Sequence, residues 1–133
     1  MFQNALDEYI RAIEFYDKRE YKDSILYAAK SYESTLKVIC GKTREQADGL
    51  TKEFVRSKYI NDIPLQVSRE GLRTNVLSSL PYLRNQLKVG HGEGGENILI
   101  TPSLAKLILN LSATLNSFIV EQYKSYLPSP SNA

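Results

Sequence analysis

A chain of 133 residues that is 42% hydrophobic and 24% charged has the size and makeup of one globular domain with a core of its own, which excludes a disordered or fibrous chain. Its 17 basic and 15 acidic side chains leave a net charge of only +2. That excludes the heavily basic face of a nucleic-acid packaging protein, so any nucleic-acid binding has to be local.

Residues 2–17 place Leu6, Tyr9, Ile10, Ile13 and Tyr16 at three- and four-residue steps, the stripe of an amphipathic helix. A polar joint at Lys18, Arg19 and Glu20 precedes a second helix over residues 21–40, with Ile25, Ala29, Tyr32, Leu36, Ile39 and Cys40 on one face. Gly41 ends it, because glycine takes the left-handed backbone at no steric cost. Cys40, the single cysteine, excludes an internal disulfide framework, fits a reducing compartment and reads as a buried, inert thiol.

Thr43 and Gln46 match the capping-box spacing and predict a short helix over residues 44–57 carrying Ala47, Leu50, Phe54 and Val55. Residues 58–67 read as a loop that lays Ile60, Ile63, Leu65 and Val67 on the core. A fourth helix starts near Ser68 and runs through Leu72, Val76, Leu80, Leu83 and Leu87, with Pro81 either kinking it or dividing it in two. A glycine loop from Gly90 to Gly95 and a short extended piece at Ile98, Leu99 and Ile100 follow.

Thr101 and Pro102 then pair an N-cap with a proline at the first helical position. The last helix spans residues 102–126 on a stripe of Leu104, Leu107, Ile108, Leu111, Leu115, Phe118 and Ile119, and residues 128–133 read as a frayed tail. The expected architecture is all-α: one domain over residues 1–127, a bundle of four main helices and one short one, most simply up-and-down with antiparallel neighbours. The start of the chain has no basic region followed by an apolar run, and no apolar stretch suggests a membrane span. A cytoplasmic protein is expected.

The chemistry concentrates in Arg84-Asn85-Gln86-Leu87-Lys88-Val89-Gly90-His91, where the only histidine follows an arginine by seven residues at the meeting of a helix and glycines. Histidine exchanges protons near neutrality, and an arginine fork suits phosphate oxygens. Metal-independent RNA cleavage needs a base for the 2′-hydroxyl, a cation at phosphorus and an acid for the departing 5′-oxygen. One histidine does not fill both proton roles, but a two-fold homodimer brings two copies of His91 and Arg84 to one groove. Asn85 adds a polar group beside Arg84, and Lys88 is a candidate phosphate contact, its plainer reading being a solvated lysine at a helix end.

Glu33 lies beside the buried stripe of the second helix and needs a partner there, which Arg84 or His91 could supply; its plainer reading is a helix-edge glutamate reaching solvent. Tyrosines at helical spacing, Tyr82 among them, read as core rather than as stacking platforms. The sequence carries no phosphate loop, nucleophile elbow or metal-ligand spacing, so neither cofactor nor metal is expected.

Residues 12–40 (AIEFYDKREYKDSILYAAKSYESTLKVIC), LRNQLKVGHGEG at 83–94 and SFIVEQY in the last helix resemble the abortive-infection C-terminal domain, a branch of the HEPN superfamily. The Arg-Asn pair with a histidine six residues beyond the Asn is similar to that superfamily's arginine, four to six residues, histidine signature. The resemblance implies a dimerising α-helical bundle and a metal-independent endoribonuclease acting in phage defence or as a toxin on RNA. Arg84 and His91 would be catalytic, with Asn85 and Glu33 in support and an antitoxin or a further domain as possible partners. Glu93 stands where some members carry a modifiable tyrosine, so control by that route is not expected. Two alternatives stay open: a non-catalytic helical interaction or RNA-binding module of a larger defence protein, and a sensor holding an anionic nucleotide in a pocket of one protomer.

Overall fold

The computed structural model describes residues 1–90 and 98–127. The glycine loop beyond Gly90, His91 and the terminal tail expected from the sequence lie outside the described residues. Among the described residues there are six α-helices and no strands: α1 (Gln3–Asp17), α2 (Tyr21–Cys40), α3 (Ala47–Arg56), α4 (Arg69–Leu72), α5 (Ser79–Gln86) and α6 (Pro102–Lys124). The all-α expectation holds, with the fourth main helix in two pieces.

Helices α1 and α2 form an antiparallel hairpin whose contact face is made of small residues. Ser24 Oγ donates to the Ala12 carbonyl at 2.8 Å and Ser31 Oγ to the Ala5 carbonyl at 2.6 Å, two pairs spaced two turns apart on each helix. Ala5, Ala12, Ala28 and Ala29 are all buried, so the backbones approach closely. The bulky stripe expected to face inward does so only at Tyr9 and Tyr16, which are partly buried against the core; Leu6, Ile10 and Ile13 are exposed. A helix pressed against serine and alanine buries its small face and turns its branched residues outward.

Helix α6 runs in the same sense as α2, since Ser112 Oγ donates to the Ala28 carbonyl and Asn116 Nδ2 to Ser31 Oγ further along both helices. It runs opposite to α1, with Tyr9 Oη on the Leu109 carbonyl and Phe2 edge-on to Tyr123. The simple up-and-down order is therefore replaced by a parallel α2–α6 pair, which the long segment between them permits. Thr101 caps α6 through the Leu104 amide, as its sequence requires. Ala105, Ile108, Leu109, Ser112, Leu115 and Ile119 are buried, whereas Leu107 is exposed. α6 is long and apolar enough to cross a membrane, with a mean hydropathy of 1.4 over its best window, although it is also the helix that fills the core against α2.

Helix α3 begins three residues later than the capping-box spacing predicts. Gln46 is its N-cap with no side-chain bond, and Leu50, Phe54 and Val55 are its buried residues. In the following loop Ile60 is buried in a 3-10 turn (Lys58–Ile60), but Leu65 and Val67 stay exposed. Arg69 ties that loop by donating to the Ser57 carbonyl at 3.1 Å and to Asn61 Oδ1 at 2.9 Å.

The segment after α4 departs most from the expected single helix. A π-helical turn (Arg73–Leu77) carries one residue more than an α-turn would, so Leu77 rather than Val76 enters the core. The helix breaks at Ser78, and Pro81 falls in the first turn of α5, where its missing N–H is tolerated. In an unbroken helix the amide of residue 81 would bond the Leu77 carbonyl. Proline has none, and the buried Tyr32 hydroxyl donates to that carbonyl instead, at 2.7 Å.

Candidate functional site

Helix α5 lies across α2 and opposite the start of α3, and a cleft of about 560 Å³ opens between the three. Ala29, Tyr32 and Glu33 form its α2 wall. Gln46, Ala47 and Asp48 form the α3 side, and Pro81, Tyr82, Arg84 and Asn85 the α5 side.

Within this cleft Arg84 Nη1 lies 3.6 Å from Glu33 Oε2, and the two side chains are 29% and 19% exposed. The separation makes an ion pair but exceeds a hydrogen bond, so the guanidinium keeps its donors. Its Nε is buried without a hydrogen-bond partner among the described residues. A buried donor left unmade costs roughly 1–3 kcal/mol, a penalty that an incoming acceptor relieves.

The end of α5 explains how the arginine is held. Val89 N–H bonds the Arg84 carbonyl and Lys88 N–H the Asn85 carbonyl, both at 3.2 Å, the paired closing bonds of a helix C-terminus. This closure puts Lys88 at φ 57, a left-handed backbone usually taken by glycine, and buries Val89. Gly90 follows at φ 85, where an added Cβ would stand 3.1 Å from both Arg84 Nη2 and Leu26 Cδ1. Glycine there avoids both the strain of that backbone and a shift of the guanidinium by a few tenths of an ångström.

The structure thus brings together three of the residues singled out by sequence, Arg84, Asn85 and Glu33. Glu33 does not simply reach solvent; it faces Arg84. Lys88 is exposed and lies outside the cleft wall, where it closes a helix rather than facing the guanidinium. His91, the residue after Gly90 in sequence, is outside the described residues.

Sequence reading missed the opposite wall. Asp48 is 73% exposed on its side chain and pairs with Lys52 at 3.2 Å and Arg73 at 3.1 Å. The hydrogen bond and charge of Lys52, with Arg73 behind them, hold its carboxyl below the usual carboxylate range. Tyr82, expected in the core, is 61% exposed. One signal for it was available: Tyr82 falls one residue after Pro81, where the helical stripe had already been interrupted.

Cys40 is half-buried, with Sγ 3.8 Å from the Leu50 carbonyl. Burial first, then the nearby Glu53 carboxylate, push its thiol up to about 11, so it stays protonated at neutral pH. Among the described residues no group of three His, Cys, Asp or Glu side chains comes together as metal ligands do.

No curated protein and no solved structure matches the chain. A family model does: the Abi_C HEPN-like domain, over residues 3–123, nearly the whole length and every element described above. The chain belongs to this family of HEPN-like domains.

Proposed function

We infer that the protein is a metal-independent endoribonuclease of the HEPN type, serving abortive infection or acting as a toxin in the cytoplasm, with its active site completed by a homodimer. The observation that carries the reading is the state of Arg84: a guanidinium beside Glu33 in an open cleft, with Nε buried and unpaired among the described residues.

Such a group suits the crowded phosphorus centre of RNA cleavage. The 2′-hydroxyl gives its proton to a base and its oxygen bonds to phosphorus. The bond from phosphorus to the 5′-oxygen then breaks, and that oxygen takes a proton from an acid. The products are a 2′,3′-cyclic phosphate and a 5′-hydroxyl. Arg84 places positive charge on the non-bridging oxygens as their charge grows. His91 acts as base and the partner subunit's His91 as acid, which is why two copies of one histidine suffice. Glu33 keeps the guanidinium turned into the cleft, and Asn85 and Lys88 contact the strand. An antitoxin or an additional domain would set when the site is active.

The test is cleavage of a labelled RNA in a chelating buffer. Arg84→Ala is expected to slow cleavage about 10²–10³-fold, the usual cost of losing one charge-stabilising donor. His91→Ala is expected to do at least as much and to abolish a bell-shaped pH profile. If both variants cut as fast as the parent, the assignment is lost.

A further inference from the structure

Eight of the nine tyrosines have settled partners. Tyr9 and Tyr32 donate to the carbonyls of Leu109 and Leu77. Tyr16 packs on Tyr21 and Tyr27 on Phe15, while Tyr59, Tyr123 and Tyr126 share an edge-to-face cluster. Tyr82 alone, among the described residues, meets no ring, no cation and no hydrogen-bond partner, and it is 61% exposed. An aromatic face left open beside an under-satisfied arginine is an arrangement that fits a flat, charged ligand.

The cleft also supplies edge-reading groups, Gln46 and Asp48 from the α3 side and Asn85 from α5 itself. Gln46 and Asn85 carry amides that both donate and accept, and Asp48 carries a carboxylate that only accepts. Lys52 and Arg73 anchor Asp48 without enclosing it, so lone pairs remain free on a side chain 73% exposed. The cleft volume, about 560 Å³, falls within the roughly 300–1,000 Å³ of small-ligand sites. An acceptor-only carboxylate favours a base edge with adjacent donors. Guanine has one, in its N1–H and exocyclic amine; uracil, cytosine and adenine have none.

We propose that the cleft holds one unpaired guanine of the RNA strand, stacked on Tyr82 and read along its edge by Asp48, Gln46 and Asn85, with the adjoining phosphate on Arg84. The proposal rests on the ribonuclease reading of the same site and adds to it a substrate class: single-stranded RNA cut beside guanine. A base held in a duplex has its edge and both faces occupied, so paired RNA is excluded.

Binding is measured by fluorescence anisotropy with the full chain and labelled 2′-O-methyl octamers, which lack the hydroxyl needed for cleavage. A single-stranded octamer containing guanine is expected to bind about five- to a hundredfold tighter than one of uracil alone or the same octamer in a duplex. Tyr82→Ala should lose a similar factor while Tyr82→Phe, which keeps the ring, retains binding. Asp48→Asn should erase the preference for the guanine octamer over the uracil octamer, and a preference kept at the parent's ratio would overturn the role given to Asp48.

The proposal is overturned if Tyr82→Ala binds RNA as the parent does. It is overturned equally if Tyr82→Ala converts a dimer to a monomer in sedimentation without altering RNA affinity, because a second copy then covers the ring. RNA cut at an unchanged rate and position by Tyr82→Ala removes this proposal and leaves the ribonuclease. Guanine-selective binding by a parent protein that cuts no RNA keeps the proposal and removes the ribonuclease.

Discussion

The α1–α2–α6 core and the segment from α4 through Gly90 differ in how far their buried polar groups are satisfied. In the core, Ser24, Ser31, Thr35 and Ser112 are buried and each donates to a carbonyl, with Asn116 Oδ1 the one side-chain atom left over. The second segment combines a π-helical turn, a lysine at positive φ, an exposed tyrosine and a buried arginine nitrogen with no partner among the described residues. Consistency marks the part that specifies the fold, and its local failure marks the part held ready for something else. The two regions are joined: Tyr32 belongs to the first and bonds a carbonyl of the second.

Three substitutions break or sharpen this comparison. The largest effect is expected in the core, where Leu36→Ala removes a side chain with no exposure and should destabilise the fold by about 2–5 kcal/mol in urea unfolding. A loss below 1 kcal/mol would mean that α2 is packed no better than the cleft wall. Next comes the link between regions: Tyr32→Phe strips the Leu77 carbonyl of the donor that replaces proline's missing amide, at a cost of about 1–2 kcal/mol. No change in the unfolding midpoint would show that the two regions are uncoupled. The smallest effect has the opposite sign. Lys88→Gly relieves a left-handed backbone and should stabilise by about 0.5–1 kcal/mol, so a destabilised variant would show that the φ of 57 carries no strain.

How much could be read in advance depended on how local the cause was. α2 and the start of α6 were legible because Gly41, Thr101 and Pro102 act within one turn of their own position. The inward face of α1 was not, since a stripe of Leu6, Ile10 and Ile13 looks like a core until serines across the hairpin demand the alanine face instead. Val76 was misplaced because an extra residue in a turn leaves no pattern of its own in the residues that flank it. For the site, Arg84, Asn85 and Glu33 were found by their chemistry. Gln46, Asp48 and Tyr82 were missed because three elements distant in the chain meet to form the cleft, and Gln46 carried a competing capping pattern.

The wide turn at Arg73–Leu77 has a consequence for how this domain tolerates length variation. Successive residues of an α-helix are phased by about 100°, so one surplus residue sets the azimuth of everything that follows. Deleting a single amino acid there would re-phase the buried Leu77 and Leu80 along with Arg84, so the surplus residue sets both what enters the core and what faces Glu33. A frame-preserving deletion of one codon in this turn is therefore expected to cost packing and the Arg84–Glu33 pair together, and length variation is better tolerated in the exposed stretch around Leu65.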